Sequence, residues 1–282
     1  SCTLDAWSRG MRVVLEADLD LSGMEFAPIA TFGGTFDGQG HTIRGIALTG
    51  AISPAGLFCT LQPSAALKNL TVEASVTPSG ESIRVGGIVG ENYGTIEGCT
   101  FNGTVSGTMS VGGIAGEVKA AGCKVENSYN WGSITGGSGT MYGVGGIIGK
   151  VSAKATVTNV YNAGTITNRY TLYGNQDKYA TAIIGNVSST NAQNVSNYYW
   201  LEGSSVNALG SSSPTAENKL TAEELKAAAE KLGDAFKTNA NGYPLLKWQP
   251  DGAHEHSWGE WTVVKKPTCM ETGTEERVCS VG

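Results

Sequence analysis

Charge is scarce in this chain, and positive charge is scarcer than negative. Only 16% of its 282 residues are charged, 19 basic against 25 acidic, for a formal net charge of −6. A nucleic acid or an anionic bilayer is held by a basic face, so no nucleic-acid partner is expected. Long apolar runs are missing too. None approaches the ~18 residues of a membrane-crossing helix, and no basic stretch leads into an apolar segment at the N-terminus as in a signal peptide. We therefore expect no membrane insertion and a monomeric fragment of a larger protein. Histidine is nearly absent: His41 is the one imidazole before His254 and His256, which argues against Ser-His-Asp or Cys-His catalysis in most of the chain. His254 and His256 alternate along a β-prone stretch with no third ligand nearby, and no H-E-x-x-H segment occurs, so neither a metal nor any other cofactor is expected. The six cysteines are too sparse for a disulfide scaffold and form no C-x-x-C pair. Cys59, Cys99 and Cys123 read as buried thiols, Cys2 stands apart, and Cys269 and Cys279 could pair in a secreted protein.

Glycine is what the chain has instead. It holds 40 in 282 residues, about twice the usual ~7% share. The glycines follow no three-residue period, which excludes collagen, and short Val, Ile and Leu clusters between them argue against disorder. They mark an internal repeat. Val85-Gly-Gly-Ile-Val-Gly90, Val111-Gly-Gly-Ile-Ala-Gly116 and Val144-Gly-Gly-Ile-Ile-Gly149 are near copies, Ala180-Thr-Ala-Ile-Ile-Gly185 is a degenerate fourth, and Ala55-Gly-Leu-Phe58 looks like an earlier relative. With Gly56, Gly87, Gly113, Gly146 and Ala182 taken as equivalent, the steps are 31, 26, 33 and 36 residues, a constant frame carrying loops of variable length. A second β-prone piece follows each copy, as in Ile96–Phe101, Val125–Tyr129 and Val157–Tyr161, and then a third, as in Gly103–Val105, Gly132–Ile134 and Gly164–Ile166.

Three short pieces bounded by Gly or Asn are too small to form sheets with cores of their own. They can form one coil of a solenoid, each strand pairing in parallel with its copies about 4.8 Å above and below. The expected fold is all-β, a right-handed parallel β-helix. Gly and Asn suit its corners because both tolerate left-handed backbone. Asn69, Asn127 and Asn159 recur at one such corner, which predicts an asparagine ladder. A phosphate-binding glycine loop would open a helix, whereas here β-prone sequence flanks every copy.

The Val-Gly-Gly-Ile-x-Gly copies, with the Asn/Gly corner and Tyr that follow, resemble the GLUG repeats of secreted and cell-surface bacterial proteins. Ile29–Ile43, with its Phe-Gly-Gly-Thr-Phe-Asp-Gly-Gln-Gly core, is similar to the opening coil that often precedes them. The resemblance covers roughly residues 10 to 200. It implies the solenoid fold and an extracellular location, secreted or attached to the cell surface. It leaves activity open, since such repeats occur in adhesins, in accessory regions of IgA-cleaving metallopeptidases and in surface proteins of other kinds.

The ends of the stack need covering because an open sheet edge invites association. Met11–Leu21 alternates apolar and polar residues and reads as entry strands, with Trp7 as a plug. Near the other end Thr221 reads as a helix N-cap, Glu224 as its capping-box partner, Leu220 as a staple to Leu225, and Gly233 as the stop. Gly242–Trp248 follows as a final strand. The expected layout is a solenoid over 1–212, a helix-plus-strand cap over the last coil at 213–250, joined through the serine-rich stretch Gly210–Ser213, and the start of a β-rich module at 251–282 that resembles small repeat units of bacterial surface proteins.

Two sets of residues are candidates for function. In-register stacking puts Glu91 over Glu117 and Glu97 over Glu126. Carboxylates about 5 Å apart approach the spacing of a retaining glycosidase. Alternatively they are solvated, screened charges, with Lys150 continuing the first column as a partner for Glu117. Tyr129 and Tyr161 occupy equivalent places near Trp131, and Tyr142, Tyr170, Tyr173, Tyr198, Tyr199 and Trp200 cluster in the later coils. Such rings either form an exposed row that stacks on sugar or protein, or stack on one another for stability. The expected function is a non-catalytic surface-display or adhesion module that contacts host glycan or a surface protein. The alternatives are a carbohydrate-active β-helix enzyme, lyase or glycosidase, using the stacked glutamates, and a plain structural spacer.

Overall fold

The computed structural model describes residues 8–137, 143–168, 180–205, 207–210, 218–250, and, in backbone only, 262–265 and 274–276. Cys2, Trp7, Tyr142, Tyr170, Tyr173, most of the serine-rich connection, His254, His256, Cys269 and Cys279 lie outside the described residues.

The chain winds as a parallel β-solenoid of about six turns. Among the described residues two parallel sheets of twelve and ten strands form its walls. One wall stacks Thr35–Asp37, Ala66–Val76, Thr95–Ser106, Lys124–Asn130, Thr156–Asn162 and Val195–Leu201. The other stacks Ile29–Phe32, Phe58–Leu61, Val89–Asn92, Ala115–Val118, Ile148–Val151 and Ala180–Val187. Each Gly-Gly-Ile copy is a bend between two short strands of this second wall, and the second and third pieces of each repeat continue the first wall.

Side chains alternate in and out, so equivalent inward residues form columns. Phe58, Val89, Ala115, Ile148 and Ile184 make one column, and Leu67, Ile96, Val125 and Val157 another. These residues are all fully buried, and the Phe, Leu, Ile and Val side chains among them each contribute about 2 kcal/mol of hydrophobic stabilisation. A polar interruption occurs at Asn130 and Asn162, both 0% exposed. Asn130 Nδ2 donates to Asn162 Oδ1 at 2.7 Å and to Gly132 O at 3.1 Å, and Asn162 Nδ2 donates to Gly164 O at 2.9 Å, so the buried amides hold the corner of the next turn.

The predicted corner ladder is present and one rung longer. Asn69, Asn127, Asn159 and Asn197 all have φ between 49° and 54°, with Gly98 at 62° filling the rung between the first two. Asn159 donates to Asn127 Oδ1 at 2.8 Å and accepts from Asn197 Nδ2 at 2.7 Å. We expect Asn159→Ala to cost about 2 kcal/mol, half from left-handed backbone and half from the two amide bonds. Asn159→Gly should recover the backbone share only. Urea denaturation of the two variants separates the terms, and equal losses would contradict this division.

The entry strands appear as Arg12–Val14 and Leu19–Asp20. Cys59, Cys99 and Cys123 are free thiols, the last two buried, and burial pushes the Cys99 thiol up to about 12.

The C-terminal segment follows the last coil. Its helix Ala222–Lys226 has the predicted capping box between Thr221 and Glu224, breaks at Ala227 and Ala228, and resumes as Ala229–Leu232 before Gly233 at φ 100°. Leu225, Ala228, Ala229 and Leu232 are buried as their spacing implies. Only Leu245–Leu246 of the expected final strand is paired, with Phe236–Lys237, antiparallel. The segment begins on the last coil, where Lys219–Leu220 pairs in parallel with Trp200–Leu201, but it does not stay there. It packs on the flank of the first wall, in a second hydrophobic cluster with Tyr129, Trp131, Tyr161 and Ala163. It then runs back along the stack until Trp248 lies over Gly98 and Gly40 of earlier rungs. It is a lateral strap. Residues 262–265 and 274–276 form a separate antiparallel strand pair.

Candidate functional site

Of the two readings of the aromatic positions, an exposed row is not what forms. Tyr129, Trp131 and Tyr161 are 2%, 7% and 0% exposed because the strap covers them. Tyr129 and Tyr161 stack at 4.8 Å between ring centroids, 17° from parallel, and Trp131 lies 4.9 Å from Tyr129. Their polar tips are used up internally: Trp131 Nε1 donates to Tyr161 OH at 2.9 Å, Tyr161 OH donates to Pro244 O at 2.6 Å, and Tyr129 bonds Gln249 Oε1 at 2.9 Å. Burial raises the Tyr129 phenol well above its ordinary value. Tyr198 and Trp200 point into the solenoid core. The cross-coil stacking alternative is the one observed, and these rings offer no docking face.

The glutamate alignments hold. Glu91 pairs with Glu117, Glu117 with Lys150, and Glu97 with Glu126 in register. What surrounds the first pair could not be read from the repeat. Arg84, held at φ 62°, places Nη1 3.0 Å from Glu91 Oε1 and Nε 2.9 Å from Glu117 Oε2. Lys119 lies 3.8 Å and 3.6 Å from the same two carboxylates, Lys150 lies 3.8 Å from Glu117, and Ser152 donates to Glu117 Oε1. Glu117 is only 5% exposed. One guanidinium thus clamps both carboxylates, and two ammonium groups close around them. A glycosidase pair needs one free nucleophile and one proton donor, which this arrangement does not present. The second pair is more open, with Glu97 3.6 Å from Lys68 and Glu126 3.6 Å from Lys124. The positions of Arg84, one residue before a Val-Gly-Gly copy, and Lys119, two after Glu117, were the available signal.

A different site lies beside Pro250. Outward positions of the first wall run Thr71, Thr100, Tyr129, Tyr161, Tyr199 in one column and Arg44, Glu73, Asn102 in the next. The first column is aromatic only in the later rungs, beneath the strap. In the earlier rungs an open cleft of about 990 Å³ is lined by Asp18, Arg44, Glu73, Asn102, Thr104 and Pro250. Asp18 accepts from Arg44 Nη2 at 2.8 Å and from the Thr42 backbone N–H at 3.0 Å and meets His41 Nδ1 at 3.2 Å. The Thr42 bond, then His41 and Arg44, hold its carboxyl below the usual aspartate value. Arg44 Nε has no hydrogen-bond partner among the described residues. No group of three or more potential metal ligands occurs among them.

Fold and sequence together define the class: a glycine-punctuated parallel β-solenoid carrying a GLUG motif, since the family model described as "The GLUG motif" matches residues 81–106. Among curated proteins the chain is similar to halomucin of Haloquadratum walsbyi (strain DSM 16790 / HBSQ001), 37% identical over 132 aligned positions that cover 41% of this chain. It spans about 1% of the length of halomucin. Among solved structures it is similar to a candidate immunoglobulin A1 protease from Bacteroides ovatus, with a TM-score of 0.55, 22% identity, and coverage of 86% of this chain and 88% of that one. That likeness is one of fold. A further structure, an IgA1 protease, matches at a TM-score of 0.48 and 17% identity over 76% of this chain and 20% of its own. The GLUG motif and the halomucin match suggest a repeat of an extracellular or cell-surface protein.

Proposed function

We propose that this chain is a non-catalytic display or adhesion module of a secreted or surface-attached protein, a stiff stack whose outer face contacts glycan. The observation that carries this reading is the Arg84 clamp: the stacked glutamates, the best candidates for hydrolysis, serve as a charge network that ties three rungs together. Parallel rungs bonded along their whole length resist bending, which suits a spacer that holds a contact surface away from its anchor.

The test is to incubate the full chain with a panel of soluble polysaccharides and measure both retention and product release. Binding without new reducing ends or unsaturated products is expected. Glu117→Gln should leave binding unchanged and lower unfolding free energy by about 2 kcal/mol, less than for a fully buried pair because its cationic partners are partly solvated. Turnover that disappears in Glu117→Gln or Glu91→Gln would overturn the proposal in favour of an enzyme.

A further inference from the structure

We infer that the cleft beside Pro250 is a binding site for a neutral, linear oligosaccharide lying along the stack axis. This rests on the glycan-contacting reading above and locates the contact away from the aromatic row. The same face of the first wall changes character between two rungs. Where the strap lies, the outward residues are Tyr129, Trp131, Tyr161 and Ala163, apolar and covered. Beside Pro250, the last described residue of the strap, the corresponding columns hold Thr71, Glu73 and Asn102, polar and partly exposed, next to an open volume of about 990 Å³. The strap's apolar side chains match the positions they cover, and in the earlier rungs the uncovered part, from Glu73 and Asn102 onward, carries hydrogen-bonding groups on its outer surface.

The chemistry of that surface selects the ligand. Glu73 accepts, Asn102 both donates and accepts, and Arg44, whose Nη2 is held by Asp18, adds a guanidinium to the lining. Such a mixture bonds vicinal hydroxyls. A protein partner needs a buried aromatic or aliphatic anchor, and the cleft lining offers only Ile46, Ala74 and Pro250 beyond its polar groups. Asp18 and Glu73 against one arginine, on a chain of net charge −6, disfavour a polyanion.

The surface continues past the cleft as a lattice of hydroxyls. Ser75, Thr104 and Ser133 pair in register, and Thr165 extends the column by donating to Ser133 Oγ at 2.9 Å. All four are exposed. Ser106, Thr135 and Thr167 form a second column two residues further along each strand. Parallel stacking sets these hydroxyls about 4.8 Å apart along the axis and about 7 Å apart across it, a repeat of the order of one pyranose ring per rung. A sugar chain leaving the cleft along the axis therefore meets one hydroxyl pair at each step.

The test uses the full chain and four soluble probes: β-glucan, xylan and mannan as neutral chains and polygalacturonate as an anionic one, with affinity read by gel retardation and by calorimetry on derived oligosaccharides. At least one neutral probe should bind. The double variant Glu73→Gln, Asn102→Ala should weaken it at least tenfold, and Thr104→Val with Ser133→Ala by three- to fivefold. All four substitutions are on outward positions, and an unchanged melting temperature would show that the stack is intact. Neutral-chain binding that survives both double variants would overturn this site and leave the display reading standing. Preference for polygalacturonate would overturn the neutral-chain assignment. Failure to bind any probe would remove both this site and the glycan contact, whereas release of new chain ends would sink the non-catalytic reading itself.

Discussion

Tyr161→Ala is expected to lower unfolding free energy by about 6 kcal/mol, of which about 4 is the ring, within the ~3–5 kcal/mol that deletion of a buried ring costs, and the melting temperature by about 15 °C. Tyr161 is fully buried, stacks on Tyr129 and lies 6.0 Å from Phe236 of the strap. Its hydroxyl also mediates between the solenoid and the strap, accepting from Trp131 Nε1 and donating to Pro244 O. Truncation thus opens a cavity and leaves a buried N–H and a buried carbonyl unpaired at once, and the second penalty runs at about 1–3 kcal/mol for each group. Tyr161→Phe keeps the ring and isolates that second share, so a loss of about 2 kcal/mol is expected from it. Because the ring joins two segments 83 residues apart, loosening should be local as well as global. Limited proteolysis of Tyr161→Ala should cut first within 218–250 while the rungs stay protected. Cleavage that instead begins in the rungs, or a loss below about 1 kcal/mol, would mean that the strap is not held by this contact.

Gly113→Ala should cost about 3 kcal/mol, although it adds one methyl group to a chain with 40 glycines. A Cβ at this position would meet the carbonyl oxygen of Gly146 in the next rung and the Asn130 side chain, whose Cγ lies at 2.6 Å. Gly113 N–H also donates to that same Gly146 carbonyl at 3.2 Å. The methyl group would wedge two rungs apart at the bend, and overpacked cores lose about 1–3 kcal/mol and occasionally more. Gly122→Ala is the control. Gly122 has φ 82° but nothing within 4 Å of an added Cβ, so it should lose only the ~1 kcal/mol of left-handed backbone. Urea denaturation of both variants gives the comparison, and equal losses would mean that the Gly-Gly bends are kept for conformation rather than for closeness of approach.

The repeat made much of this molecule legible in advance. Aligning Gly90 with Gly116 was enough to place Glu91 beside Glu117, and the recurring Asn127 and Asn159 gave the corner ladder, because in a solenoid each residue's neighbours are its copies one period away. Thr221, Glu224 and Gly233 bounded the helix for a similarly local reason, since a capping box closes within one turn. The aromatic row shows where that logic stopped. Equivalence of Tyr129 and Tyr161 established that they stack, but whether the stack faces water depends on what lies over it. The change from Thr100 to Tyr129 along one outward column was the sign that something does.

By itself, then, the order of residues determined the coil, its register, its columns and its corners, since backbone pairing between successive rungs depends on the period of turn-forming and apolar residues alone. Only the tertiary structure decided which parts of the outer wall are covered. Gln249 reaches Tyr129 across 120 residues, and Arg84 reaches Glu117 across 33. Contacts between a unique segment and a repeated one, or between side chains fanned over several rungs, leave no period to read, because they are fixed by shape and charge in space rather than by spacing along the chain.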